Sequence, residues 1–101
     1  MKLWVDDERD PVQHNHDGWV WAKTCSEALE ALRSGEVTHL SLDHDLGGTE
    51  TVRPVVLWLC DNLAWPGFVK THSMNPVGRE WINQMIARYG HWNWENKNAG
   101  T

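Results

Sequence analysis

The sequence predicts an α/β domain, a parallel sheet of about four strands with three helices, and three observations lead there. Short apolar runs alternate along the chain with segments of helical period, the order that a parallel sheet with crossover connections requires. Gly, Pro and Asn punctuate the chain where each periodic segment stops. Three of the apolar runs end in polar residues suited to chemistry, as strands do when a ligand crevice lies beyond their carboxyl ends.

The first run, Lys2 to Val5, is ended by Asp6 and Asp7, and a second strand is expected from Trp19 to Lys23. The eleven residues between Asp7 and Trp19 show no helical period, so this first crossover is too short for a normal helix. Thr24, with Glu27 three residues on, forms a capping box that opens a helix with Ala28, Leu29 and Leu32 on one face, stopped by Gly35. Thr38 to Leu42 reads as the third strand, followed by the carboxylate- and glycine-rich loop Asp43-His44-Asp45-Leu46-Gly47-Gly48. The spacing of Val52, Val56, Leu59 and Leu63 predicts a second helix over 52–64, with Pro54 tolerated in its first turn. Phe68 to Ser73 is the fourth strand. Asn75-Pro76 supplies an N-cap and a first-turn proline for a third helix, with a stripe of Val77, Trp81, Met85 and Tyr89, Ile82 and Ile86 beside it, and Gly90 as its stop. The result is a reduced flavodoxin-like sheet, with residues 1–90 as the domain and 91–101 as a Trp- and Asn-rich tail.

One hundred and one residues suit a single core. A net charge of −5 opposes the counterion release behind nonspecific nucleic-acid binding, so duplex DNA is not an expected partner. No apolar run is long enough to span a bilayer, and Met-Lys-Leu-Trp-Val leads into acidic residues rather than a signal peptide, so no membrane association and a cytoplasmic location are expected. Cys25 and Cys60 lack metal-ligand or redox spacing and are read as buried thiols. Eight tryptophans are many for this length; core filling is the expected use of most, and a Trp-rich surface for a protein partner is the alternative.

Asp6 and Asp7 after the first strand, Asp43, His44 and Asp45 after the third, and His72 and Ser73 closing the fourth converge on one crevice if the sheet is parallel. Carboxylates brought together repel, so a hard divalent cation, Mg²⁺ or Mn²⁺, is implied at Asp6, Asp7 and Asp43. His44 fits a ligand, a general acid or base, or a solvated loop residue; His72 fits a site residue or a packed imidazole on the face opposite Ser73. Asn75, Pro76 and Gly78 open a helix whose free N–H groups attract a phosphate. His14 and His16 read as solvated loop residues, and Trp92 and Trp94 as folding back over a sheet edge, with stacking on a base or a partner as the alternative.

Through LWVDDERDP, WAKT, SLDHDLGG and HSMNPVG, spread in order over residues 3 to 78, the chain resembles the cyclic-phosphate processing receiver-like domains, reduced relatives of response-regulator receivers. The resemblance implies Mg²⁺ at Asp6 and Asp7, a phosphoryl-accepting role at Asp43 and a phosphate contact at Ser73. The lysine that ends a receiver's fifth strand has no good counterpart after Tyr89, Lys97 being a poor one, so phosphorelay signalling is not expected. The expected activity is a metal-dependent phosphoesterase acting on a cyclic nucleotide or a 2′,3′-cyclic RNA end. Catalysis would rest on Asp43, His44, His72 and Ser73, and phosphate binding on Ser73, Asn75 and Gly78. The alternative is a non-catalytic module of phage type that sequesters a nucleotide or inhibits a partner protein in a cellular defence.

Overall fold

In the computed structural model, which describes residues 1–90, the strands are β1 (Lys2–Val5), β2 (Val20–Ala22), β3 (His39–Leu42) and β4 (Phe68–Thr71). The helices are α1 (Cys25–Arg33), α2 (Arg53–Asp61) and α3 (Pro76–Tyr89), and a 3₁₀ turn spans Pro11–His14. All strands are parallel, in the order β2-β1-β3-β4. The caps form where the sequence places them. Thr24 Oγ1 accepts from the Glu27 N–H at 3.1 Å, while Glu27 Oε1 accepts from the Lys23 N–H at 2.9 Å. Asn75 Oδ1 accepts from the Gly78 N–H at 3.1 Å with Pro76 in the first turn.

Two helical faces differ from the expected ones. The chain leaves α2 at Asn62, whose side chain returns to the Trp58 carbonyl at 2.9 Å, and Leu63 then takes φ +51°. That left-handed step swings Leu63 to 89% exposure, so the buried face is Val52, Val55, Val56 and Leu59. In α3 the core takes the neighbouring stripe Gly78, Ile82 and Ile86, leaving Val77 and Tyr89 exposed and Trp81 and Met85 half-buried.

The register aligns Leu3, Leu40 and Val69 in one row and Val5, Leu42 and Thr71 in the next. The apolar members of these rows pack with Ala28 and Leu32 of α1, Val55, Val56 and Leu59 of α2, and Ile82 and Ile86 of α3. The three helices therefore share one face of the sheet. Right-handed crossovers explain this, because the β1-to-β2 connection runs across the sheet in the opposite sense to the others and so falls on the opposite face. Only the short 3₁₀ turn lies in it. Trp4, 2% exposed, fills that side instead, stacked at 3.7 Å on His72 and donating from Nε1 to the Arg9 carbonyl at 2.8 Å.

Core filling accounts for fewer of the tryptophans than expected: Trp4 and Trp65 are buried, whereas Trp19, Trp21, Trp58 and Trp81 are half-buried. Trp92 and Trp94 lie outside the described residues. His14 is exposed, and His16 is half-buried with its ring 4.7 Å from Trp4. Both cysteines are free and half-buried; burial and the Glu50 carboxylate push the Cys25 thiol up to about 11. Among the described residues no helix is long and apolar enough to cross a membrane.

Candidate functional site

Between β1 and β3 the chain connections leave in opposite directions, which opens a crevice at the carboxyl ends of these two central strands. The ladder continues one residue past each. The Asp6 N–H reaches the Ala22 carbonyl at 3.0 Å, that of Asp43 the Val5 carbonyl at 2.9 Å, and that of His72 the Leu42 carbonyl at 3.0 Å. Backbone pairing thus fixes the two buried aspartates side by side, and oxygens of Asp6, Asp7 and Asp43 lie within 4.8 Å of one another. Three carboxylates in this arrangement offer the hard oxygen donors that suit Mg²⁺ or Mn²⁺.

Asp6 is held from every side. Its Oδ1 accepts from the N–H groups of Glu8 at 2.9 Å and Arg9 at 2.8 Å; its Oδ2 accepts from His72 Nε2 at 2.9 Å and lies 3.5 Å from Arg9 Nη1. Burial alone would raise its pKa, but the hydrogen bonds from His72 and from the Arg9 and Glu8 backbone outweigh burial and leave it below the usual carboxylate value. An ionised Asp6 only accepts, so His72 Nε2 carries the proton and Nδ1 accepts from the Ser41 hydroxyl at 2.7 Å. Burial also lowers the His72 pKa, against the pull of Asp6, and favours this neutral imidazole.

Asp43 behaves in the opposite way. Burial first, and then the charge of Asp6, push it up to about 6, although Arg9 and a hydrogen bond with Ser73 act against the rise. Ser73 is buried, and its Oγ accepts from the Asn75 N–H at 3.1 Å. Above these groups lies an open cleft of about 470 Å³, lined among others by Asp7, Arg9, Asp43, Asp45, Met74 and Asn75. Gly47 closes one wall with φ +95°, and a Cβ there would stand 3.0 Å from Asp7 Oδ2.

His44 is buried and does not line the cleft. Arg53 Nε donates to its Nε2 at 2.9 Å, so Nδ1 carries the proton and donates to Asp45 Oδ1 at 2.9 Å. Asp45 Oδ2 in turn accepts from Asn75 Nδ2 at 3.1 Å, and the hydrogen bonds from His44 and Asn75 lower its pKa despite some burial. Gly78 packs on the other side of the imidazole, where a Cβ would fall 2.3 Å from His44 Cγ. Gly78→Ala is therefore expected to cost about 1–3 kcal/mol by overpacking, and clearly less in a His44→Ala background. Urea denaturation of the four proteins of this cycle measures the difference; equal costs in both backgrounds would contradict the contact.

Of the sequence-predicted residues, Asp7, Asp43, Asp45 and Asn75 reach the cleft, and Asp6 and Ser73 support it from beneath. His44 and His72 stand behind it with both nitrogens engaged, and the Gly78 N–H is already bonded to Asn75. Sequence reasoning missed Arg9, Ser41 and Arg53. Arg9 had a readable signal, since the residue three beyond a turn-forming aspartate is brought back against its carboxylate. Ser41 and Arg53 had none, because their partners are 31 and 9 residues away.

Residues 1–88 match the family described as cyclic-phosphate processing Receiver domain. No curated protein and no solved structure shows a significant match to the chain.

Proposed function

The chain belongs to the cyclic-phosphate processing receiver domains, and from that premise we propose that its cleft takes Mg²⁺ or Mn²⁺ and hydrolyses a cyclic phosphodiester, a cyclic nucleotide or a 2′,3′-cyclic RNA end. The observation that carries the reading is the approach of Asp6, Asp7 and Asp43 within 4.8 Å at the ends of the two central strands, with Asp43 raised to about 6. Burial and then the neighbouring Asp6 charge disfavour an ionised Asp43, and a cation relieves both.

When bound, such a cation polarises a nonbridging phosphate oxygen and acidifies water. Asp7 and Asp43 face the cleft and supply ligand oxygens, while Asp6 adds its charge from below, its orientation held by His72 and by the two N–H groups of the following turn. His72 is then a positioning residue, itself oriented by Ser41. Asp45 lines the cleft and is held as an ionised acceptor by the hydrogen bonds from His44 and Asn75, so it orients a water there, and His44 acts only by holding Asp45 Oδ1. As a positioning residue His44 contributes less than a direct acid or base, and His44→Ala should slow turnover by roughly 10- to 100-fold with Mn²⁺ affinity nearly unchanged.

The test is product formation from a panel of 2′,3′-cyclic and 3′,5′-cyclic nucleotides and cyclic-ended RNA, with Mn²⁺ and with chelator. Metal-dependent product from at least one member is expected. One observation favours a second reading: no imidazole lines the cleft among the described residues, which suits a module that sequesters a nucleotide without turning it over. Tight stoichiometric binding with no product from any member would establish that module and overturn the enzyme.

A further inference from the structure

Arg9 is the one cationic side chain lining the cleft among the described residues, against the four carboxylates of Asp7, Glu8, Asp43 and Asp45. Its position is unusually well determined. The Arg9 N–H is bonded to buried Asp6 at 2.8 Å and the Arg9 carbonyl accepts from buried Trp4 at 2.8 Å, so the backbone beneath the side chain is pinned on both sides. In the side chain, Nη1 leans on the His72 carbonyl at 3.4 Å and on Asp6 Oδ2 at 3.5 Å. Nε and Nη2 have no hydrogen-bond partner among the described residues, and the side chain is 30% exposed. A guanidinium held by one nitrogen with its other donors open is pre-organised for a phosphate oxygen.

Building on the proposed function, we infer that Arg9 anchors the phosphate, and that as the cleft's single cationic side chain it restricts the ligand to a monoanionic phosphodiester and disfavours the dianionic monoester left after ring opening. With one dication bound, the four lining carboxylates still exceed the dication and Arg9 together by one, so negative charge on a ligand is opposed by the cleft as a whole and is admitted only where it touches Arg9 or the cation. A cyclic phosphate adds one negative charge, and Arg9 meets it directly. A phosphomonoester adds nearly two near neutral pH, because its second pKa is about 6, and among the described residues the cleft holds no further cationic side chain to meet the second. Arg79, the nearest arginine on α3, reaches back to the Ser73 carbonyl at 3.5 Å and lines a different surface. The contact with Arg9 thus holds one negative charge against this excess, while the second charge of the product is opposed.

Calorimetry on the Mn²⁺-loaded protein tests this with three probes: a 2′,3′-cyclic nucleotide, the corresponding 3′-monophosphate, and the methyl ester of that monophosphate. The methyl ester carries one negative charge without the ring, which separates charge from shape. We expect the two diesters to bind with similar affinity and the monoester at least about tenfold more weakly. Arg9→Gln should weaken the diesters at least about tenfold, Arg9→Lys should weaken them less, and Mn²⁺ affinity, titrated separately, should change no more than about threefold in either variant. Diesters bound equally by wild type and Arg9→Gln, or a monoester bound as tightly as its methyl ester, would overturn the inference and leave the proposed function standing. A wild-type protein that binds none of the probes, and neither a 3′,5′-cyclic nucleotide nor cyclic-ended RNA, would overturn both.

Discussion

Asp43→Asn is expected to abolish Mn²⁺ uptake and product formation while making the metal-free protein more stable at neutral pH. The folded state raises the Asp43 pKa from 3.8 to about 6, so between these values the native protein holds a proton that the unfolded chain releases. The stability associated with that proton is complete below the unfolded value and is lost as pH rises through the folded one. Above it, wild type carries an ionised carboxylate that burial and Asp6 disfavour, whereas asparagine stays neutral. A shift of this size corresponds to at most about 3 kcal/mol; because Asp43 opens onto a solvated cleft, about 1–2 kcal/mol is expected at pH 7.5, and almost none below pH 4. Saturating Mn²⁺ should reverse the order, since a cation bound only by the folded wild type stabilises it by mass action. Scanning calorimetry at both pH values, with chelator and with Mn²⁺, reads all of this. A variant that melts below wild type in chelator at pH 7.5, or that still takes up Mn²⁺, would contradict the crowded-carboxylate account.

Trp4→Ala should cost about 3–5 kcal/mol, the largest loss of stability expected from any single truncation here. The side chain is 2% exposed and stands where the opposite face of the sheet has helices. Its loss removes the stack on His72 and the bond to the Arg9 carbonyl together, so the two residues that hold Asp6 lose their own support. Mn²⁺ affinity should therefore fall along with stability. Trp4→Phe keeps a ring against His72 but not the N–H, and about 1–2 kcal/mol is expected for it. Urea unfolding followed by far-UV circular dichroism measures both; an alanine variant within about 1 kcal/mol of wild type would show that the 3₁₀ segment, not the indole, supports this face.

The sequence was most legible where the signal is local. Thr24 with Glu27 and Asn75 with Pro76 mark helix starts because the capping groups are within three residues of each other, and the structure uses both. The aspartates at the ends of the first and third strands were legible as one site because a parallel sheet brings such ends together whatever their separation. The face of α3 was not, since two i, i+4 stripes lie side by side and the one chosen contains a glycine, which carries no hydrophobic signal but leaves the space that His44 occupies. Leu63 was misplaced because periodicity cannot register the left-handed step that ends the stripe. The engagement of His44 by Arg53 and of His72 by Ser41 depends on tertiary approach, and no spacing rule contains it.

The order β2-β1-β3-β4 places the two strands that carry the aspartates at the centre of the sheet and leaves β2 and β4 at its edges. Edge strands lose amide protection first when a sheet opens locally, and central strands exchange their hydrogens only through larger openings. Asp6 and Asp43 are each bonded through their own N–H groups to a neighbouring strand, to β2 and β1 respectively. Fraying at β4 frees the ladder bond that His72 makes to Leu42 while leaving the bonds of both aspartates intact. The backbones of the two aspartates thus keep their spacing when β4 opens, while the same opening releases the hold of His72 on Asp6 Oδ2, so the β4 edge governs the orientation of a carboxylate whose position it does not set.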